Sequence, residues 1–298
     1  MSGRSDYEST TVPDPDSLLS GVNVLIEGPT GTGKTHSIGT LVDCGVEVFF
    51  LALESGIESL LGYWTDRGLE VPPNLHWHVL RLGTGSGGAF AQLMDAAQKI
   101  GAQTQDSLYK MQDFNRATNN PFLQVLQQLA NFHDQRTGAS FGDVSTWGPN
   151  RALVMDGLTG LGSFAMAMVI GTKPLRSQTD WGLAQGVVEK CLRSLCDQCK
   201  CHFVLIGHVE RETDLVFGGV KITVQTLGKA LPPLIPPMFS DVILAVREGT
   251  KWSWSTAHAM ADLKTRNLPV ADGIQPSFRL IIDKWMSRGG KLSAKVKS

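Results

Sequence analysis

The chain has no excess of either charge: 27 Lys and Arg stand against 28 Asp and Glu, a net charge of −1. Without a global field it is not drawn onto nucleic acid as a whole, so any such contact has to come from a local basic surface or from loops. Long apolar runs are missing too. The longest weakly polar stretch, LTGLGSFAMAMVIG (158–171), is too short and too broken by glycine to cross a bilayer. The first residues, MSGRSDYESTTVPDPDSLLSG, carry acids and prolines where a secretion signal would have a basic start and an apolar core. A soluble, cytoplasmic protein with no membrane partner is the expectation. Cysteine is scarce, five in 298 residues, and an odd number without a secretion signal argues for reduced thiols. Cys191, Cys196, Cys199 and Cys201 cluster beside His202, which invites a zinc reading. Structural zinc sites usually pair two such knuckles, and no second one is present. One-turn spacing of Cys191 with Leu195, and of Leu192 with Cys196, favours core cysteines on an amphipathic helix.

What is present is 42% hydrophobic residues, enough for a sizeable core. Residues 1–20 read as a disordered arm. VNVLIEG (22–28), VEVFFLALES (46–55), RALVMDG (151–157), CHFVLIGH (201–208) and DVILAVRE (241–248) read as buried strands, and HWHVLRL (76–82) as a strand near a sheet edge. Segments between them have helical spacing, so the fold class is α/β, a mainly parallel sheet with helices on both faces. Residues of about 84–150 form a helical insertion, with a GTGSGG linker and helices in AFAQLMDAAQKIGAQ and PFLQVLQQLANFHDQ. After 250, WSWSTA, HAMADLK and SFRLIIDKW read as short strands, a C-terminal β extension, and 284–298 as a basic tail. The main domain is therefore 21–283.

The strongest motif is GPTGTGKT at 28–35. Gly28, Pro29, Thr30, Gly31, Thr32 and Gly33 form a loop whose N–H groups can point inward around phosphate oxygens. Lys34 brings a point charge to the terminal phosphates, and the Thr35 hydroxyl is a hard oxygen ligand for Mg²⁺. A strand leads in and a helix-like segment leads out, the context this ATP-binding motif requires. Asp156, delivered to a strand end by four apolar residues, is the second metal residue. Many such ATPases place the general base next, but here that position is Gly157. Glu54, at the end of the second strand, is then the candidate base, and His208, ending the 202–207 strand, a candidate sensor of the γ-phosphate.

Gly28–Thr35, Glu54, Asp156 and His208 together resemble the RecA-like core, and in particular phage ATP-binding proteins built from that core, some of which are single-strand annealing recombination proteins. The resemblance covers about residues 20–283 in order of elements. It implies a RecA-like ATPase, DNA-stimulated, with ATP and Mg²⁺ as cofactors and, for a phage protein, the host cytoplasm as its place. It implies a DNA-facing loop at 210–231 with Arg211, Lys221 and Lys229, and a partner loop at 172–182 with Lys173, Arg176 and Trp181, where basic residues interleave with an aromatic. It implies that Lys264 and Arg266 reach a neighbouring subunit's γ-phosphate, and hence a ring or filament of copies. Single-stranded DNA and a single-strand-binding protein are the implied partners. Two rival readings stand beside it: a nucleotide-dependent switch with weak hydrolysis, kept open by Gly157, and a DNA motor of helicase or packaging type.

Overall fold

The apolar runs become strands of one central sheet. In the computed structural model, which describes residues 19–80, 120–171, 176–213 and 218–292 with the isolated positions 94, 98 and 101, the strands are β1 (Asn23–Glu27), β2 (Glu47–Ala52), β3 (Leu75–Val79), β4 (Arg151–Asp156), β5 (His202–Gly207), β8 (Asp241–Glu248) and β9 (Lys251–Ser255). Their order across the sheet is β3-β2-β4-β5-β1-β8-β9. All neighbours are parallel except β8 and β9, which form an antiparallel hairpin. The expected strand near an edge, β3, is the edge strand. A separate two-stranded ribbon pairs β6 (Val209–Thr213) with β7 (Val220–Val224).

Side chains alternate across the sheet and feed two cores. Leu25, Phe49, Leu153 and Leu205 face α4 (Pro121–Ala130), α5 (Leu158–Ile170) and α6 (Gln178–Gln198). Val24, Ile26, Val48 and Val154 face α1 (Lys34–Ser37), α2 (Gly39–Asp43), α3 (Ile57–Thr65) and α7 (Phe278–Ser287). This is the expected mainly parallel sheet with helices on both faces. α6 starts on a capping box, in which Ser177 Oγ accepts from Asp180 N and Asp180 Oδ2 accepts from Ser177 N. It carries Cys191 and Cys196 half-buried against the core, and Cys201 is buried just before β5.

Several expectations are corrected. SFRLIIDKW is not a strand but helix α7: Ser277 caps it, and Phe278, Ile281, Ile282 and Trp285 are buried at spacings of three and four. The basic stretch from 284 accordingly begins inside this helix, with Trp285 in the core and its indole N–H donating to Ser20 O at 2.9 Å. HAMADLK is irregular, with isolated bridges at Ala261 and Lys264. The helix-like segment that leads out of the GPTGTGKT loop is broken at Ile38, whose N–H reaches back only three residues to Thr35 O. Of the expected helix in 89–103, only 94, 98 and 101 are described, each helical; the linker and residues 1–18 lie outside the described residues. The described end of the 84–150 stretch belongs to the core, through Phe122, Val125, Phe132, Val144 and Trp147.

One buried charge network fastens that stretch to the sheet. Asp134, fully buried, accepts from Trp77 N, Arg136 N and Thr137 Oγ1 and lies 3.1 Å from His76 Nδ1. His76 Nε2 lies 3.5 Å from Glu47, which also pairs with Arg151 at 2.8 Å. At the far end of β8, Asp241 is buried under five donors: Ser240 Oγ, Thr265 Oγ1, Arg266 N, Asn267 N and Asn267 Nδ2.

Candidate functional site

The C-terminal ends of β1, β2, β4 and β5 share one edge, as their parallel register requires. There the chain turns through Gly28–Gly33 into α1, with positive φ at Gly31 (78°) and Gly33 (77°), a conformation that favours glycine. Gly28 could not be anything larger, because a Cβ there would lie 2.6 Å from Ala245 O on β8. Its N–H bonds to Gly207 O, which ties the loop to β5.

Lys34 donates from Nζ to Gly28 O at 2.7 Å and to Pro29 O at 2.8 Å, so its ammonium lies folded within the loop. Burial lowers its pKa to about 8, against the pull of Asp156 and Glu54. Thr35 Oγ1 donates to Asp156 Oδ2 at 2.9 Å. Burial raises the Asp156 carboxyl to about 6; the Thr35 bond holds it down, Glu54 pushes it up and Lys34 pulls it down. A hydroxyl and a half-satisfied carboxylate at one point are a hard-oxygen pair of the kind Mg²⁺ takes, and the cost of burying that carboxylate is what a cation would relieve. The two residues fit the ion.

Glu54 follows β2 and reaches across to β4 and β5. Its Oε1 accepts from Gly160 N at 2.8 Å, and its Oε2 lies 3.3 Å from His208 Nε2. This explains Gly157. That residue has φ 118°, and a Cβ there would lie 2.7 Å from Glu54 Cγ. The space beside Asp156 that a base would fill in many ATPases is taken here by a carboxylate arriving from another strand. Lys34, Thr35, Glu54, Asp156 and His208 all line one cleft of about 670 Å³.

The same cleft is bordered by residues that sequence reading did not single out. Trp252 on β9, 42% exposed, lies over Gly33, where a Cβ would come within 2.7 Å of the indole. His36 packs edge-on against Trp252, ring centroids 5.2 Å apart, and against Tyr63 at 5.1 Å. Arg247, the cross-strand partner of Trp252, brings Nη1 to 3.7 Å from a Cβ built on Gly31. Only the alternation in WSWS hinted at these positions, and that pattern names a strand rather than a site.

One residue before the loop, Glu27 is 2% exposed and its Oε2 has no partner among the described residues. Burial, and then the Asp262 charge, raise it to about 8. It borders a cavity of about 170 Å³ together with Thr223, Lys221 and Lys229.

Of the expected DNA loop 210–231, residues 210–213 and 220–224 belong to the β6–β7 ribbon and 225–231 are irregular. The ribbon begins at His208, whose carbonyl accepts from Gln225 N at 2.7 Å. Arg211 is exposed on it. Lys221 pairs with Asp262 at 2.8 Å and Lys229 with Glu212 at 3.4 Å. The expected partner loop is corrected in its described second half: residues 178–182 open helix α6, so Trp181 stands on a helix, where its ring lies 5.6 Å from Arg176 and borders Gly228. Lys173 lies outside the described residues. Lys264 and Arg266 sit at the opposite edge of the sheet, beside Asp241: Lys264 Nζ donates to Pro237 O, and the Arg266 carbonyl accepts from Arg288. They are not brought to the cleft of their own chain.

Among the described residues no helix is long and apolar enough to cross a membrane. No protein-family model and no curated protein matches the sequence. Solved structures with a similar course of chain include the RadB recombinase, at 13% identity and TM-score 0.36 over 86% of each chain. The flagellar accessory protein FlaH from Methanocaldococcus jannaschii is 9% identical, with a TM-score of 0.32 over 87% of this chain and 84% of that one. The ATPase EscN of the enteropathogenic E. coli type III secretion system is 13% identical, with a TM-score of 0.34 over 76% of this chain and 43% of that one.

Proposed function

We propose that this chain binds ATP with Mg²⁺ and hydrolyses it, and that hydrolysis is coupled to single-stranded DNA in recombination, annealing or repair. The observation that carries the reading is the 2.9 Å contact of Thr35 with Asp156 below a loop of inward-curling glycines. Thr35 and Asp156 would hold the metal, which when bound draws charge from phosphate oxygens. Lys34 turns from the carbonyls of Gly28 and Pro29 to phosphate oxygens. Glu54 takes the proton of the attacking water, and His208, touching both Glu54 and the start of the β6–β7 ribbon, relays the state of the site outward.

The DNA part rests on the resemblance and on Arg176 and Trp181 beside the ribbon, a cation and a stacking surface. Lys221 and Lys229 already hold carboxylates, so DNA phosphates must displace Asp262 and Glu212 to use them. Lys264 and Arg266, far from their own cleft, are assigned to a neighbour's phosphates in a ring or filament.

The second reading, a switch with slow turnover, is favoured by one fact: both oxygens of Glu54 are engaged, by Gly160 N–H and His208. ATP hydrolysis measured with and without single-stranded DNA for wild type, Lys34→Ala and Glu54→Gln separates the two. DNA stimulation that both substitutions abolish supports the ATPase reading. Tight ATP binding with turnover unaffected by Glu54→Gln supports the switch. Unchanged nucleotide binding by Lys34→Ala sinks the site assignment.

A further inference from the structure

Trp252 and Trp254 project from the same face of β9, and their surroundings differ sharply. Trp254 is fully buried, against Phe278, whereas Trp252, two residues further out, leaves the core and is 42% exposed. The indole is nevertheless held in place. It lies on the backbone of Gly33, and His36 supports it edge-on at 5.2 Å. His36 is braced in turn by Tyr63, whose hydroxyl donates to Asp43 Oδ2 at 2.6 Å. A fixed aromatic surface at the cleft wall, next to the helical end of the phosphate loop, loses little freedom when a flat ring stacks on it.

We infer that Trp252, backed by His36, is the seat of the nucleotide's base. This rests on the nucleotide reading of the cleft and adds to it the part of the ligand that the phosphate loop does not touch. Stacking on an indole is open to any base, and the larger purine rings gain most from it.

The test is calorimetric titration, with Mg²⁺ present, of ADP and of inorganic tripolyphosphate, which has no base. Wild type, Trp252→Ala, Trp252→Phe and Lys34→Ala are compared. Trp252→Ala is expected to weaken ADP about 10- to 100-fold and to leave tripolyphosphate unchanged, with Trp252→Phe recovering most of the loss. Lys34→Ala should weaken both ligands. Should Trp252→Ala hold ADP as wild type does, or lose both ligands by the same factor, the indole is no base seat and at most props the loop. Wild type that binds neither ligand would instead overturn the nucleotide reading itself.

Discussion

Asp156 and Asp241 sit at opposite ends of the same sheet, the first half-buried at the cleft and the second fully buried, and their carboxylates are satisfied in opposite ways. Asp241 accepts from five donors, two of them backbone N–H groups. Asp156 has Thr35 as its hydrogen-bonding side chain and Glu54 for a near neighbour, and its carboxyl is pushed up to about 6. A buried carboxylate whose oxygens are all satisfied holds chain segments together; one left short of partners costs stability and is kept for a ligand. The first reads as structure and the second as a site, although both are aspartates at strand ends.

The largest expected effect tests the structural half. Asp241→Ala strands five donors and should cost about 3–5 kcal/mol in denaturant unfolding. Asp156→Asn, measured without nucleotide, should cost nothing or stabilise. If the two substitutions destabilise equally, the contrast is gone.

Next comes Gly157→Ala, which drives a methyl into Glu54 Cγ at 2.7 Å. Hydrolysis should fall about a hundredfold, the scale of a displaced general base, with ADP affinity held within a few-fold. Loss of ADP binding would show that Gly157 serves the loop and not Glu54.

A smaller effect is the thermal shift. At Mg-ADP about ten times its dissociation constant, wild type should gain about 1.4 kcal/mol. That is a few degrees in melting temperature, and Asp156→Asn should gain much less.

The smallest is in pH, and its signs are opposite at Asp134 and Asp156. In Asp134 burial works against the charge, but Thr137, His76 and two backbone N–H groups hold the pKa below the ordinary value. Its share of stability is present above the unfolded pKa and is lost as pH falls through the folded one. Glu47, lowered chiefly by His76, behaves the same way. In His76 burial is outweighed by Glu47 and Asp134, so its pKa is raised and its share is lost as pH rises. Asp156 is a raised carboxyl, so in nucleotide-free protein stability declines as pH climbs from about 4 to about 6. Unfolding profiles of wild type and Asp156→Asn should diverge in that interval; parallel profiles would mean that Asp156 is better satisfied than its geometry indicates.

Much of this was legible in the sequence, because the phosphate loop, Asp156 and Glu54 each follow directly on a buried apolar run that fixes where they emerge. The meaning of Gly157 was only half legible: the missing base could be read, but the carboxylate filling its place comes from Glu54, about a hundred residues earlier and beside it only because β2 pairs with β4. Trp252 was illegible for a similar reason, since its neighbours Gly33 and His36 join it only through pairing of β8 with β1. SFRLII misled because a short apolar run does not distinguish strand from helix; Ser277 and the burial of Trp285 decide it. The basic residues of the ribbon looked free for phosphate because Asp262, partner of Lys221, lies in an irregular stretch that only the fold brings near.

Glu27 gives the loop a working range. It is one residue from Gly28, and burial keeps it protonated up to about pH 8. In ordinary conditions the strand beneath the anion-binding loop therefore contributes no negative charge. In alkaline solution the same carboxyl would ionise and repel the triphosphate from below, in the range where Lys34 gives up its own charge, so grip on the nucleotide should loosen above pH 8 from both sides of the loop.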